Sequence, residues 1–219
     1  MNPNPENLNF LHKAFVDGGP VMLIILAFGI MTVLLIVERF VSLRSFSISK
    51  KEFTDQLFSL LLRGDLRQAI AFCDSRPAPL TNTVKAGLVQ VMNKRPDEEV
   101  QVAMDASVLR ENVRIEGWTS FLAVFGNVAV LAGLLGTIIG MIGSFTAVSA
   151  ADPATKSELL SKGISHALNC TAFGLLVAIL SIVFFGYFQM RISRLENELM
   201  EVSMSLLNLV ASNREKFKE

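Results

Sequence analysis

The sequence predicts an all-α integral membrane protein: three transmembrane helices with long cytoplasmic helical extensions. Three observations carry that prediction. Two long stretches, Gly117–Ala151 and Gly163–Met190, contain no charged residue, and Pro20–Val37 is a shorter stretch of the same kind. Uncharged apolar runs of about 18 residues or more read as membrane spans. Each of the two long stretches also carries small residues at helical spacing. Gly126, Ala129, Gly133, Gly136, Gly140, Gly143 and Ala147 fall at alternating intervals of three and four, as do Ala167, Thr171, Gly174, Ala178 and Ser181. That spacing places the small residues on one face of each helix, where another backbone can come close. Finally, 51% of the 219 residues are hydrophobic and mean hydropathy is +0.47, yet the charges cluster outside the three stretches.

Taken in order, residues 1–19 form an external N-terminal segment in which His12 and Phe15 could start a short interfacial helix. Residues 20–37 form the first span, about 27 Å long at 1.5 Å per residue. It reads as a retained anchor, because its apolar part is long for a signal peptide and Glu38-Arg39 follow it directly, as an interfacial ion pair. Residues 38–117 read as helical almost throughout. Ser49-Lys50-Lys51-Glu52 has capping-box spacing ahead of an apolar face of Phe53, Leu57, Leu60 and Leu61. Gly64-Asp65 ends that helix, Leu66–Ser75 makes a second, and Pro77 and Pro79 separate it from a third over Leu80–Asn93. Pro96 followed by three acids starts a fourth. No break is evident from there to Ala150, so this helix is expected to run unbroken into the second span, residues 118–150. Residues 151–162 form a short external loop, and 163–190 the third span. The latter continues into a C-terminal helix over 191–219, where Ile192, Leu195, Leu199, Val202, Leu206 and Leu209 recur at helical intervals.

Charge placement orients the chain. Of 20 Lys and Arg, one precedes the first span, 12 lie in residues 38–117, two lie between the second and third spans, and five follow the third. Because basic residues gather on the cytoplasmic side, the N-terminus is expected outside and the C-terminus inside. Cys73 and Cys170, separated by a membrane boundary and without a CxxC, indicate neither a disulfide framework nor a zinc site.

Catalytic chemistry finds no foothold. GxSxG, HExxH, a Walker loop and a dinucleotide fingerprint are all absent, and the two histidines are far apart in sequence. Basic residues spread over helical faces without an aromatic platform give no nucleic-acid signal. The chain is therefore read as no enzyme, and no cofactor or metal is expected. What remains is polar content at membrane depth. Thr137 and Ser144 lie beside the first small-residue stripe and Thr171 within the second, with Asn127, Asn169 and His166 as further polar groups. Hydroxyls in membrane helices commonly bond the preceding turn and amides join helices, so pore lining and structural roles compete for these residues. No Asp or Glu lies in any span. If the chain conducts protons, the titrating carboxylate must come from a partner.

Leu131-Ala132-Gly133-Leu134-Leu135-Gly136-Thr137-Ile138-Ile139-Gly140-Met141-Ile142-Gly143-Ser144-Phe145 resembles the second-span motif of the MotA/TolQ/ExbB proton-channel family. The stretch from Gly163 to Ile179, with His166, Asn169, Thr171 and Gly174, resembles its third-span motif. Three spans with a large first cytoplasmic segment are similar to ExbB and TolQ rather than to the four-span MotA. The resemblance implies an inner-membrane ring, a homopentamer, around the transmembrane helices of an ExbD/TolR-type single-span partner that carries a membrane Asp. A TonB/TolA-type energy-transducing protein is a further implied partner, and no nucleic acid is. Proton or sodium flow would then drive mechanical work on the cell envelope. Thr137 and Thr171 match the family's pore threonines; Ser144 and Asn169 are further pore-lining candidates, and His166 a candidate at ion entry. Gly133, Gly136, Gly140 and Gly174 are the helix-packing candidates. The sequence departs from the family where Val130 and Leu180 replace frequent prolines and where His166 replaces a frequent Glu. The alternatives are a non-conducting structural membrane scaffold, or a stator for gliding or another envelope machine.

Overall fold

The computed structural model describes residues 19–46 and 48–214, and helices account for nearly all of them. In chain order these are α1 (Gly19–Phe46), α2 (Lys50–Leu62), α3 (Leu66–Ser75), α4 (Pro79–Met92), α5 (Asp97–Glu116), α6 (Ser120–Ser149) and α7 (Lys156–Ser212). No strand occurs among the described residues. Three helical stretches, carrying α1, α6 and α7, are long and apolar enough to cross a membrane, so the expected all-α, three-span class holds. The short helix considered around His12 and Phe15 lies outside the described residues.

The chain divides into two units, one ending at Glu38 and resuming over Trp118–Tyr187, the other made of Arg39–Gly117 and everything from Phe188 onward. In the first unit α1, α6 and α7 pack around Val21, Ile25, Ala129, Ala132, Cys170 and Val177. Much of its remaining apolar surface stays exposed, including Leu131, Ile142, Leu168 and Ile179. Outward-facing aliphatic side chains of that kind suit a lipid or helical surrounding rather than water. The second unit buries larger side chains: Phe53, Leu57, Leu61, Leu88, Met104, Ile115, Phe188, Ile192 and Leu206 are all essentially inaccessible. Its helices are started and stopped by local chemistry. Asp65 caps α3 by accepting from the Gln68 N–H at 3.0 Å, and Gly64 takes φ +79° to turn the chain between α2 and α3. Asp97, Glu98 and Glu99 occupy the first turn of α5, where they oppose the positive end of the helix dipole.

Three expectations are corrected. The helix expected without a break to Ala150 stops at Glu116 and restarts at Ser120. Gly117 makes the turn with φ +46° and ψ −132°, a backbone that other residues rarely adopt. Ser49 sits at the start of α2 but its side chain makes no capping hydrogen bond, so the capping-box spacing is not used. The loop expected over 151–162 is shorter, because α7 already begins at Lys156. Arg39, expected to pair with Glu38 at the interface, is only 4% exposed and also donates from Nη1 to the carbonyls of Ile115 and Glu116, at 3.5 and 3.4 Å. It thus serves the exposed carbonyls at the end of α5, where a cation also complements the helix dipole.

Candidate functional site

Apart from Gly143, which has open space around it, the glycines singled out from the sequence converge on the contact between α6 and α7, as do Ser144 and Thr171. The two helices run antiparallel, and the small residues meet in register. A methyl group added at Gly126 would touch Ser181 and Ala178, and one at Gly133 would come within 3.0 Å of the Cys170 carbonyl and 3.2 Å of Thr171 Cα. At Gly136 it would meet the Cys170 side chain and at Gly140 His166 and Ala167, while Gly163 faces Ser144. From the α7 side, a methyl on Gly174 would lie 2.6 Å from the Ala129 carbonyl oxygen. The seam therefore brings main chain against main chain over several turns, which is what small residues permit where lipid offers no hydrophobic drive between helices.

Thr171 lies in this seam and donates from Oγ1 to the Gly133 carbonyl oxygen at 3.3 Å. In an unbroken α-helix that same oxygen accepts the N–H of Thr137, four residues on. The two threonines thus share one acceptor although 34 positions apart in sequence. The Thr137 hydroxyl turns back along its own helix, donating to the Leu134 carbonyl at 2.6 Å. Both threonines are half-buried and keep part of their surface toward the outside of the helix pair. Ser144 is different. It is 4% exposed, donates to the Gly140 carbonyl at 2.7 Å and is enclosed by Gly163. Asn169 is half-buried on α7, where the close approaches belong to its neighbours Cys170 and Thr171. His166 is half-buried beside Gly140, near the other end of the seam.

One polar contact escaped the sequence reading. Thr32 of α1, fully buried, lies with its Oγ1 3.1 Å from Ser181 Oγ. Thr32 is the one hydroxyl in the first span and Ser181 ends the second small-residue stripe, which was the signal available. Around it Phe28 and Phe125 approach at 5.6 Å between ring centroids, and Val177 lies against Gly29. α1 is joined to the seam by this hydroxyl pair and by apolar packing. Elsewhere Cys73 is a buried thiol whose pKa burial pushes up to about 12, with Asp74 adding to the shift, so it is inert at neutral pH.

A multi-pass helical membrane protein with a glycine-built seam and hydroxyls on uncharged spans is the class defined by these features. Residues 75–201 match the MotA/TolQ/ExbB proton channel family, and the chain belongs to that family. It is similar to the Tol-Pal system protein TolQ of Haemophilus influenzae, 28% identical over 87% of this chain and 89% of that protein. It is likewise 28% identical to the Tol-Pal system protein TolQ of Pseudomonas aeruginosa over 78% of each chain. The biopolymer transport protein ExbB of Pseudomonas putida is 30% identical over 52% of this chain and 34% of its own length.

Proposed function

We propose that this chain is a stator subunit of an ion-driven motor in the bacterial inner membrane, assembling as a ring, a pentamer, around the transmembrane helices of a single-span partner of the ExbD/TolR type. The partner supplies the membrane carboxylate and, with a TonB/TolA-type protein, passes the resulting motion to the envelope. In this reading the N-terminus lies outside and both charged regions inside, following the distribution of Lys and Arg. The observation that carries the proposal is the pairing of two half-buried threonines around one carbonyl of a span that holds no acid. A carboxylate that changes charge at membrane depth needs donors to ease its desolvation, and these two hydroxyls lie within reach of the helix-pair surface. Asn169 extends that polar strip, Ser144 and the glycines close the seam behind it, and His166 stands toward the outer end as a group for ion entry. The ion is a proton or sodium.

The rival reading, a non-conducting structural scaffold, draws support from one feature. Each of these hydroxyls donates to a backbone carbonyl of its own chain, which satisfies it without any ion. Thr137→Val with Thr171→Val separates the two. In proteoliposomes containing the chain and its partner, the double variant is expected to assemble normally by native mass spectrometry while ion flux falls by about tenfold or more, the cost of leaving a carboxylate without donors. Thr→Ser at both positions keeps the hydroxyls and should keep most of the flux. Wild-type flux in the double valine variant would establish the scaffold reading.

A further inference from the structure

Within the second unit, a cavity of about 630 Å³ opens between the chain around the start of α2 and the stretch of α7 just past the third span. Lys50, Lys51, Arg191 and Arg194 line it, against two carboxylates, Asp55 and Glu198. The acids do not cancel the bases. Arg194 pairs with Glu198 at 3.3 Å and Lys50 pairs with Glu201, whereas among the described residues Lys51 and Arg191 have no ion-pair partner. Two further donors point to an anion. Ser49 leaves the first N–H groups of α2 uncapped at the cavity edge, and the partial positive charge of a helix start is strongest there. Thr54, also in the lining, has a hydroxyl shielded from solvent and without a hydrogen-bond partner.

The position in the sequence narrows the ligand. Arg191 directly follows the uncharged stretch that ends at Met190, and Leu43 comes a few residues after the first span. Both ends therefore belong at headgroup level on the same side of a bilayer. Leu43 and Leu195 give the cavity an apolar wall beside its cations, as a phosphate group attached to a glycerol and acyl chains requires. We propose that this cavity binds a phosphate-bearing anion, and that its occupant is the headgroup of an anionic phospholipid from the surrounding leaflet. Lys51 and Arg191 neutralise the phosphodiester, and the α2 N–H groups and the Thr54 hydroxyl donate hydrogen bonds to its oxygens.

The test uses the full chain purified in detergent and titrated with phosphatidylglycerol, bound lipid being counted by native mass spectrometry. Lys51→Gln with Arg191→Gln is expected to weaken retention by about tenfold or more, since each basic residue at the surface adds about fivefold to anionic-lipid affinity. Arg63→Gln with Arg67→Gln removes the same charge from exposed positions outside the cavity and should leave retention unchanged. Circular-dichroism melts confirm that each variant is folded, and Lys51→Gln alone serves if the pair is not. Equal loss in both pairs would reduce the effect to diffuse electrostatics and overturn the site, as would undiminished retention in the cavity variant. Inorganic phosphate provides the second arm. Failure of millimolar phosphate to displace the lipid supports a headgroup site; displacement would overturn the lipid assignment and leave a site for free phosphate.

Discussion

In the first unit the glycines between α6 and α7 admit another main chain, whereas in the second unit Gly87 of α4 admits a side chain. A methyl on Gly174 would strike the Ala129 carbonyl at 2.6 Å, and one on Gly133 would meet the Cys170 carbonyl and the Thr171 and Gly174 Cα atoms. At Gly87 the obstacle is the thioether of Met104, with its sulfur 2.5 Å away. The difference follows the two environments. Lipid tails are as apolar as leucine, so helices in a bilayer gain by close contact and polar bonds rather than by burying oil. The second unit, rich in charged residues, gains by withdrawing Phe53, Leu88, Met104 and Phe188 from water, and its glycine makes room for bulk.

Substitutions at the glycines themselves test this difference. Gly174→Ala should be the most damaging substitution, because a backbone cannot step aside as a side chain can. A loss of about 3 kcal/mol, the upper part of the overpacking range, is expected in detergent unfolding. Gly87→Ala should cost about 1 kcal/mol, since methionine re-packs readily. Gly143→Ala, with open space around it, should cost nothing. If Gly174→Ala and Gly143→Ala unfold alike, the seam is not a tight main-chain contact. Gly117→Ala ranks between Gly174→Ala and Gly87→Ala. It requires a positive φ from a residue that resists it and places a methyl 2.0 Å from Arg39 Nη1, so about 2 kcal/mol is expected. Arg39→Met should then restore part of the loss by relieving the clash, while its own cost at the α5 carbonyls remains; a thermal melt of the double variant reads the balance.

A further, slight effect concerns pH. Burial raises the Glu196 carboxyl above its ordinary range, and the nearby Glu116 charge adds to the shift. A raised carboxylate pKa means that the folded state holds the proton more tightly than the unfolded chain. Stability is then fullest at acid pH and declines as pH rises through the carboxylate range. Glu196→Gln should therefore stabilise slightly at neutral pH and leave the acid-side melting temperature unchanged; a difference of the opposite sign at neutral pH would contradict the cause given.

What the sequence conveyed was periodicity, and what it concealed was contact between distant positions. The stripes from Gly126 to Ala147 and from Ala167 to Ser181 were legible because a helix converts spacing into a face. The helices α3 and α4 were legible through Gly64-Asp65 and the prolines near residue 78. The interruption at Gly117 was not. A single glycine among helix formers is tolerated inside helices, and the guanidinium against which this one turns belongs to Arg39, far away in the chain. Likewise Ser49 has the spacing of a capping box without its hydrogen bond, and nothing local in Thr32 announces Ser181. The candidate site showed the same division: its threonines were visible as matches to a motif, their common acceptor only in three dimensions.

That shared acceptor has a consequence for motion. A carbonyl oxygen has two lone pairs, and at Gly133 one serves the helix and the other Thr171. When the Thr171 hydroxyl rotates toward another acceptor, the oxygen keeps its helical bond and is never left bare. The exchange gives up one long hydrogen bond, about 0.6 kcal/mol by the standard of membrane helices, comparable to thermal energy. Rotation of a hydroxyl is fast beside any shift of a helix, so this surface can turn from satisfied to donating within nanoseconds while the backbone stands still. The seam holds its geometry, and the proton on one oxygen atom is free to change its allegiance.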